Sequence, residues 1–145
     1  MTIPEVASQF DVEEKTVETW CEKQWIRGVK CIDGKYDIPA SVKRPYNKRR
    51  AQGDAIYTSI IKGVLGGYDV TASLYDLSEA EFEKYIQQLK DAGVVDTYID
   101  KNTKVEYLCR TLKSNDFSKL RKNKVKSALK ELKPQIIINA GINQQ

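Results

Sequence analysis

The chain has 145 residues, 41% hydrophobic and 30% charged, which is enough for one moderate core or two very small ones. It has neither a run of about 18 apolar residues nor the basic and apolar regions of a secretory signal, so the sequence predicts a cytoplasmic protein with no membrane association. Histidine is absent, and with it the commonest general base and metal ligand; no catalytic triad, glycine-rich phosphate loop or metal-ligand cluster takes its place, so neither an enzyme nor a cofactor is expected.

In chain order, the first predicted helix opens at T-I-P-E over residues 2–5, where Thr2 caps, Glu5 reaches back and Pro4 is tolerated in the first turn. Val6 and Phe10 share its inner face. After a short turn at Phe10, Asp11 and Val12, Val17, Trp20, Cys21 and Trp25 recur at helical spacing along a second helix. Residues 29–32 and 35–38 then flank Asp33-Gly34, a dipeptide that supplies the positive φ of a tight hairpin. Two short helices and a hairpin make a minimal winged helix over residues 1–43.

These residues resemble a family. The order T-I-P-E-V-A, F-D-V, T-V-x-x-W, W-I and D-G-K-Y-D-I-P, over residues 2–42, is similar to the excisionase/MerR-like helix-turn-helix group. The resemblance implies that the second helix enters the DNA major groove and that the hairpin wing approaches the backbone. On this chain the reading helix would then present Glu14, Lys15, Thr16, Glu18 and Thr19, with Lys30, Lys35 and Tyr36 on the wing. Glu13, Glu14 and Glu18 stand where polar or basic residues normally meet phosphates, and a carboxylate there is repelled by them, although Glu can accept from cytosine N4. Three readings of this helix stay open: groove insertion, a protein-binding face, and a structural remnant.

Composition changes over residues 44–52, read as a basic linker around Pro45. Five cations fall between Lys43 and Arg50. Lys48, Arg49 and Arg50 are candidate phosphate or minor-groove contacts, against the alternative of an ordinary solvated linker. A second winged-helix-like module is predicted over residues 53–112. Its first helix turns Ile56, Ile60, Ile61, Val64 and Leu65 inward and ends at Gly66-Gly67. A short helical turn over residues 70–75 follows, and a capping box at Ser78 and Glu81 starts a longer helix with Phe82, Tyr85, Ile86 and Leu89 inside. Gly93 ends that helix. Residues 94–99 and 104–109 read as strands joined by a turn at 100–103. The outer face of the longer helix offers Lys84, Gln87 and Gln88, and the second wing offers Lys101 and Lys104, as base or phosphate contacts or as ordinary hydrated surface.

Residues 113–133 read as a basic amphipathic helix capped by Asp116, with Lys119, Lys122 and Lys126 among the cations opposite its apolar side. Residues 110–133 hold 9 Lys/Arg against 2 Asp/Glu. Such a segment suits a phosphate backbone, a dimerising or solvated helix, or another anionic surface. In the tail, 134–145, Ile136, Ile137 and Ile138 suit an edge strand or a partner chain. Cys21, Cys31 and Cys109 are odd in number and widely spaced, as free, partly buried thiols would be.

The expected fold is mainly α with short β-hairpins, as tandem winged helix-turn-helix modules plus a C-terminal basic helix. The expected function is sequence-specific DNA binding by a transcriptional regulator or excisionase-like factor, with homodimerisation on paired half-sites. The mobile-element association comes from the resemblance alone. The alternative is an adaptor or inhibitor that uses Glu14 and Glu18 to meet a basic protein surface. Residues 1–46 hold 7 Lys/Arg against 8 Asp/Glu and residues 47–145 hold 17 against 12, so the first part favours the alternative and the second favours nucleic acid.

Overall fold

The computed structural model describes residues 1–114. All but the first two residues of the helix expected over 113–133, with Lys119, Lys122 and Lys126, and the whole tail lie outside the described residues. Within them the chain is mainly helical with two small antiparallel hairpins: five α-helices, one 3₁₀ turn and four short strands.

Helix α1, Ile3–Phe10, starts at the expected capping box. Thr2 Oγ1 accepts from the Glu5 N–H at 3.3 Å, and the Glu5 carboxylate accepts from the Thr2 N–H at 3.0 Å. Helix α2, Glu14–Glu22, follows a turn in which Asp11 takes a left-handed φ of 54°. It ends with Gln24 in the same region and the Trp25 N–H bonded to the Trp20 carbonyl at 2.9 Å, which satisfies a carbonyl that the helix leaves open. Val6 and Val17 meet between the helices beside Ile38, all three fully buried, and Trp20, Cys21, Ile26 and Val42 complete this first core. Burying each such aliphatic side chain contributes about 1.5–3 kcal/mol.

Strands β1, Lys30–Ile32, and β2, Lys35–Asp37, pair with Cys31 opposite Tyr36. Asp33 and Gly34 both have positive φ, 50° and 76°, as a two-residue type I′ connection requires.

Residues 44–52, read from their charge as a linker, depart from that expectation. They hold most of helix α3, Lys48–Gly53, and both Tyr46 and Ala51 are buried in the second core. Asn47 caps the helix, its Oδ1 accepting from the Arg50 N–H at 3.1 Å. Three successive cations in the first turn oppose the helix dipole, but the Asn cap and the anchoring of Ala51 against a core outweigh them, since packing supplies most of a short helix's stability.

Helix α4, Ile56–Leu65, buries Ile60, Ile61 and Val64 and leaves Ile56 and Leu65 half-buried. Gly67, rather than Gly66, takes the left-handed φ beyond its end. A 3₁₀ turn, Ala72–Tyr75, leads to α5, Glu79–Asp91, which opens on the Ser78 and Glu81 capping box and buries Phe82, Ile86 and Leu89. Strands β3, Val95–Ile99, and β4, Glu106–Arg110, pair with Tyr98 opposite Tyr107. Lys104, expected to begin a strand, sits in the turn at φ 63° and donates its N–H to the Asp100 carbonyl. Tyr107 and Leu108 are consecutive and both buried. Successive strand residues face opposite ways, so at this point of β4 the hairpin is packed on both faces. Leu108 enters the second core, and the Tyr107 hydroxyl hydrogen-bonds Ser41 at 3.0 Å.

The two cores are joined at Asp69, whose side chain is 2% exposed. Its carboxylate accepts from the Arg27 backbone N–H and from Arg27 Nε, both at 2.9 Å, while Arg27 Nη2 donates to the Val70 carbonyl at 2.6 Å. Its backbone completes a short parallel bridge: the Asp69 N–H donates to the Arg44 carbonyl and the Tyr46 N–H to the Asp69 carbonyl. Burial pushes the Asp69 carboxyl above the usual carboxylate range, and the Arg27 guanidinium beside it pulls the other way. Trp25 packs against both cores.

Candidate functional site

The outer face of α2 is open. Glu14, Lys15 and Glu18 are exposed, and no hydrogen bond or ion pair engages their side chains among the described residues. Thr19 is half-buried and its hydroxyl donates back to the Lys15 carbonyl at 3.0 Å, so of the expected reading residues it is the one already occupied. On the hairpin, Lys30 and Lys35 are exposed; Tyr36 is half-buried against the first core, so its ring is a packing group as well as wing surface. The Cys21 thiol on the buried side of α2 is pushed up to about 11, mainly by burial and further by Glu18 and Glu22, so it stays protonated. Cys31 is exposed and Cys109 half-buried; all three cysteines are free thiols.

Thr16, on the flank of α2, lines a groove of about 440 Å³ that runs between α2 and the segment entering α3. Trp20 and Trp25 stand on the α2 side, Tyr46 and Tyr68 on the other, and among the described residues its charged lining comes from Arg44, Lys48 and Arg50. Among the described residues, no carboxylate lines it. Lys48 is only partly available: its ammonium is 2.9 Å from the Asp76 carboxylate and 5.4 Å from the centre of the Trp25 ring. The Lys48 contact, together with a hydrogen bond from Gln52, holds the Asp76 carboxyl below its ordinary value. Arg44 and Arg50 are exposed and form no ion pair among the described residues. Arg49 is exposed too, yet lies outside the groove lining, so the cations of one run divide by direction.

The second region treats its predicted contacts differently. Gln87 Nε2 donates to Asp91 at 2.8 Å, and Gln88 Oε1 accepts from the Tyr57 hydroxyl. Both amides are exposed but engaged, and of the three predicted contacts on that face Lys84 is the one without a side-chain partner among the described residues. Lys101 and Lys104 are exposed at the tip of β3–β4, a tip that is docked on the N-terminal region: Thr103 Oγ1 lies 2.8 Å from Ser41 Oγ, and a Cβ built on Gly28 would meet Val105 at 2.6 Å. Arg44 was missed as a site residue although it belongs to the cation run; what the run alone does not give is which of its members turns toward α2.

No family model, curated protein or solved structure matches the chain. Among the described residues, no helix is long and apolar enough to cross a membrane, and no cluster of three His, Cys, Asp or Glu side chains is placed to hold a metal ion.

Proposed function

We propose that the chain is a sequence-specific DNA-binding protein of the regulatory or excisionase-like kind, built as two winged helix-turn-helix units at a fixed spacing. The observation that carries this reading is the outer face of α2, where Glu14, Lys15 and Glu18 have no side-chain partner among the described residues, flanked by a groove whose charged lining among those residues is cationic. A recognition helix needs side chains that are not already committed, with cations beside it to position phosphates. The I′ hairpin after α2, with Lys30 and Lys35 exposed, is placed in sequence as a wing. In the second unit α5 and β3–β4 keep the same order, with Lys84, Lys101 and Lys104 as exposed cations.

A second reading has an observation of its own. Glu14 and Glu18 are exposed on the same face and unpaired among the described residues, as the acidic side of a protein–protein contact would be. Fluorescence anisotropy with random duplex DNA and with the chain's own upstream region, across a salt series, decides between them. DNA binding predicts an affinity that falls steeply with salt, by a log–log slope of about −0.9 per phosphate engaged, and a selected sequence that survives moderate salt. Glu14→Gln with Glu18→Gln should then leave DNA affinity unchanged or raise it, whereas the same pair weakens a complex with a basic protein. Absence of binding even at low salt ends the DNA reading.

A further inference from the structure

The cations of the groove between α2 and α3 are unequal because nearby carboxylates are already engaged. Asp69 is held by Arg27, Asp76 by Lys48, and Asp54 by Lys62 at 2.9 Å. Arg44 and Arg50 are left without a counter-ion among the described residues, on either side of Tyr46, whose hydroxyl is raised by burial with Lys62 and Arg50 acting against it. Two guanidinium groups and a third cation fixed over an indole ring, with no carboxylate in the lining among the described residues, make a site for an anion. The planar donor fork of Arg fits phosphoryl oxygens bidentately, which a point charge does not. A groove of about 440 Å³ is larger than a bare phosphate needs and admits the ester group attached to it.

We propose that this groove is a phosphate-ester site in which Arg44 and Arg50 grip the phosphoryl oxygens while the half-buried Trp25 and Tyr68 border the attached sugar or base. The ester comes from the backbone of a duplex or from a free nucleotide or pyrophosphate. In the first case the site deepens the DNA reading and rests on it, because a strand seated there passes directly beside α2.

The chain's two tryptophans, Trp20 and Trp25, both line the groove, so intrinsic fluorescence reports its occupancy without a label. The probes are inorganic pyrophosphate and a short random duplex, titrated into the wild-type chain and into Arg44→Gln, Arg50→Gln and Arg49→Gln. Arg44 and Arg50 are exposed, so thermal unfolding of their variants should match the wild type. The expected result is a saturable change in tryptophan emission that competing pyrophosphate reverses. Arg44→Gln and Arg50→Gln should each weaken binding about tenfold, as loss of a charge-assisted contact does, equally on every DNA sequence, and lower the salt slope by about 1. Arg49→Gln should change little. A response to pyrophosphate that Arg44→Gln and Arg50→Gln abolish, with no duplex binding, upholds the phosphate site and removes the DNA reading. Emission indifferent to both probes, or an Arg49→Gln loss equal to that of Arg50→Gln, overturns the site even where the duplex binds elsewhere.

Discussion

The hairpin β1–β2 and the hairpin β3–β4 follow helices in the same order but meet different surroundings. The first is three residues per strand, exposed along nearly its whole length, and turns on two residues. The second is five residues per strand, feeds Val95 and Leu108 into a core, and sets its tip against Ser41 and Gly28. The helices before them differ in the same sense: Glu14, Lys15 and Glu18 of α2 have no internal partner among the described residues, whereas Gln87 and Gln88 of α5 are tied to Asp91 and Tyr57. A repeated element order therefore does not imply a repeated task. Among the predicted contact residues, those on α2 are the less committed to partners within the described residues, and those on α5 the more.

That division depends on the joint at Arg27 and Asp69, and removing Arg27 is the largest single break available. Arg27→Met leaves a buried carboxylate without its partner, which costs about 3–5 kcal/mol; the lower end applies because Arg27 keeps 27% of its side-chain surface in water. The variant should also steepen a pH dependence. With Arg27 gone, burial is opposed by the weaker pull of Lys43, and the folded pKa of Asp69 rises further above the unfolded value. The folded state then binds the proton more tightly, so stability is greatest at low pH and falls as pH rises through the window above the ordinary carboxylate value. Thermal unfolding from acid to neutral pH reads both effects. A small loss with no such slope would mean that the cores are held by apolar packing around Trp25 instead.

A smaller break targets the docked tip. Gly28 has φ +76°, and a Cβ there would lie 2.6 Å from Val105 Cγ2 and 3.1 Å from Pro39 Cγ. Gly28→Ala combines backbone strain with overpacking and should cost about 1–3 kcal/mol in thermal or urea unfolding. Gly34, in the free hairpin, has the same φ but nothing within 4 Å, so Gly34→Ala carries the backbone term alone. If the two substitutions cost the same, the docking of β3–β4 contributes little.

Local signals were legible in the sequence where the physics is local. The capping boxes at Thr2 and Ser78, the Asp33-Gly34 turn and the inward stripe of Ile60, Ile61 and Val64 are each written within a few residues of one another. Helix α3 was hidden because charge and Pro45 dominate its composition while its stability comes from Ala51 and Tyr46 in a core assembled elsewhere. The Arg27–Asp69 joint spans 42 positions, and no spacing rule links them. Of the candidate site, the cation run was visible, but its division into Arg44 and Arg50 facing the groove, Lys48 held by Asp76, and Arg49 turned elsewhere is a product of tertiary packing.

The finest contrast lies in how the two tips are built. The β1–β2 tip rests on backbone conformation, and no hydrogen bond engages the Asp33 carboxylate among the described residues. The β3–β4 tip is organised by the Asp100 carboxylate, which accepts from the Thr103 N–H at 2.9 Å, the Thr103 hydroxyl and the Asn102 N–H, and Thr103 in turn meets Ser41. The Thr103 backbone and hydroxyl contacts, with smaller help from Asn102 and Lys104, hold the Asp100 carboxyl below its ordinary value. A lowered folded pKa contributes stability that is present above the unfolded value and lost as pH falls through the folded one. Asp100→Asn should therefore unfold more readily than wild type at neutral pH and show a shallower loss on the acid side, the two curves converging once the wild-type carboxylate is protonated. Asp33→Asn is the matched control, because Asn tolerates the same left-handed φ, and it should leave the acid slope where it is. Equal responses from the two variants would mean that the tips are held alike and that the docked hairpin draws nothing from its carboxylate.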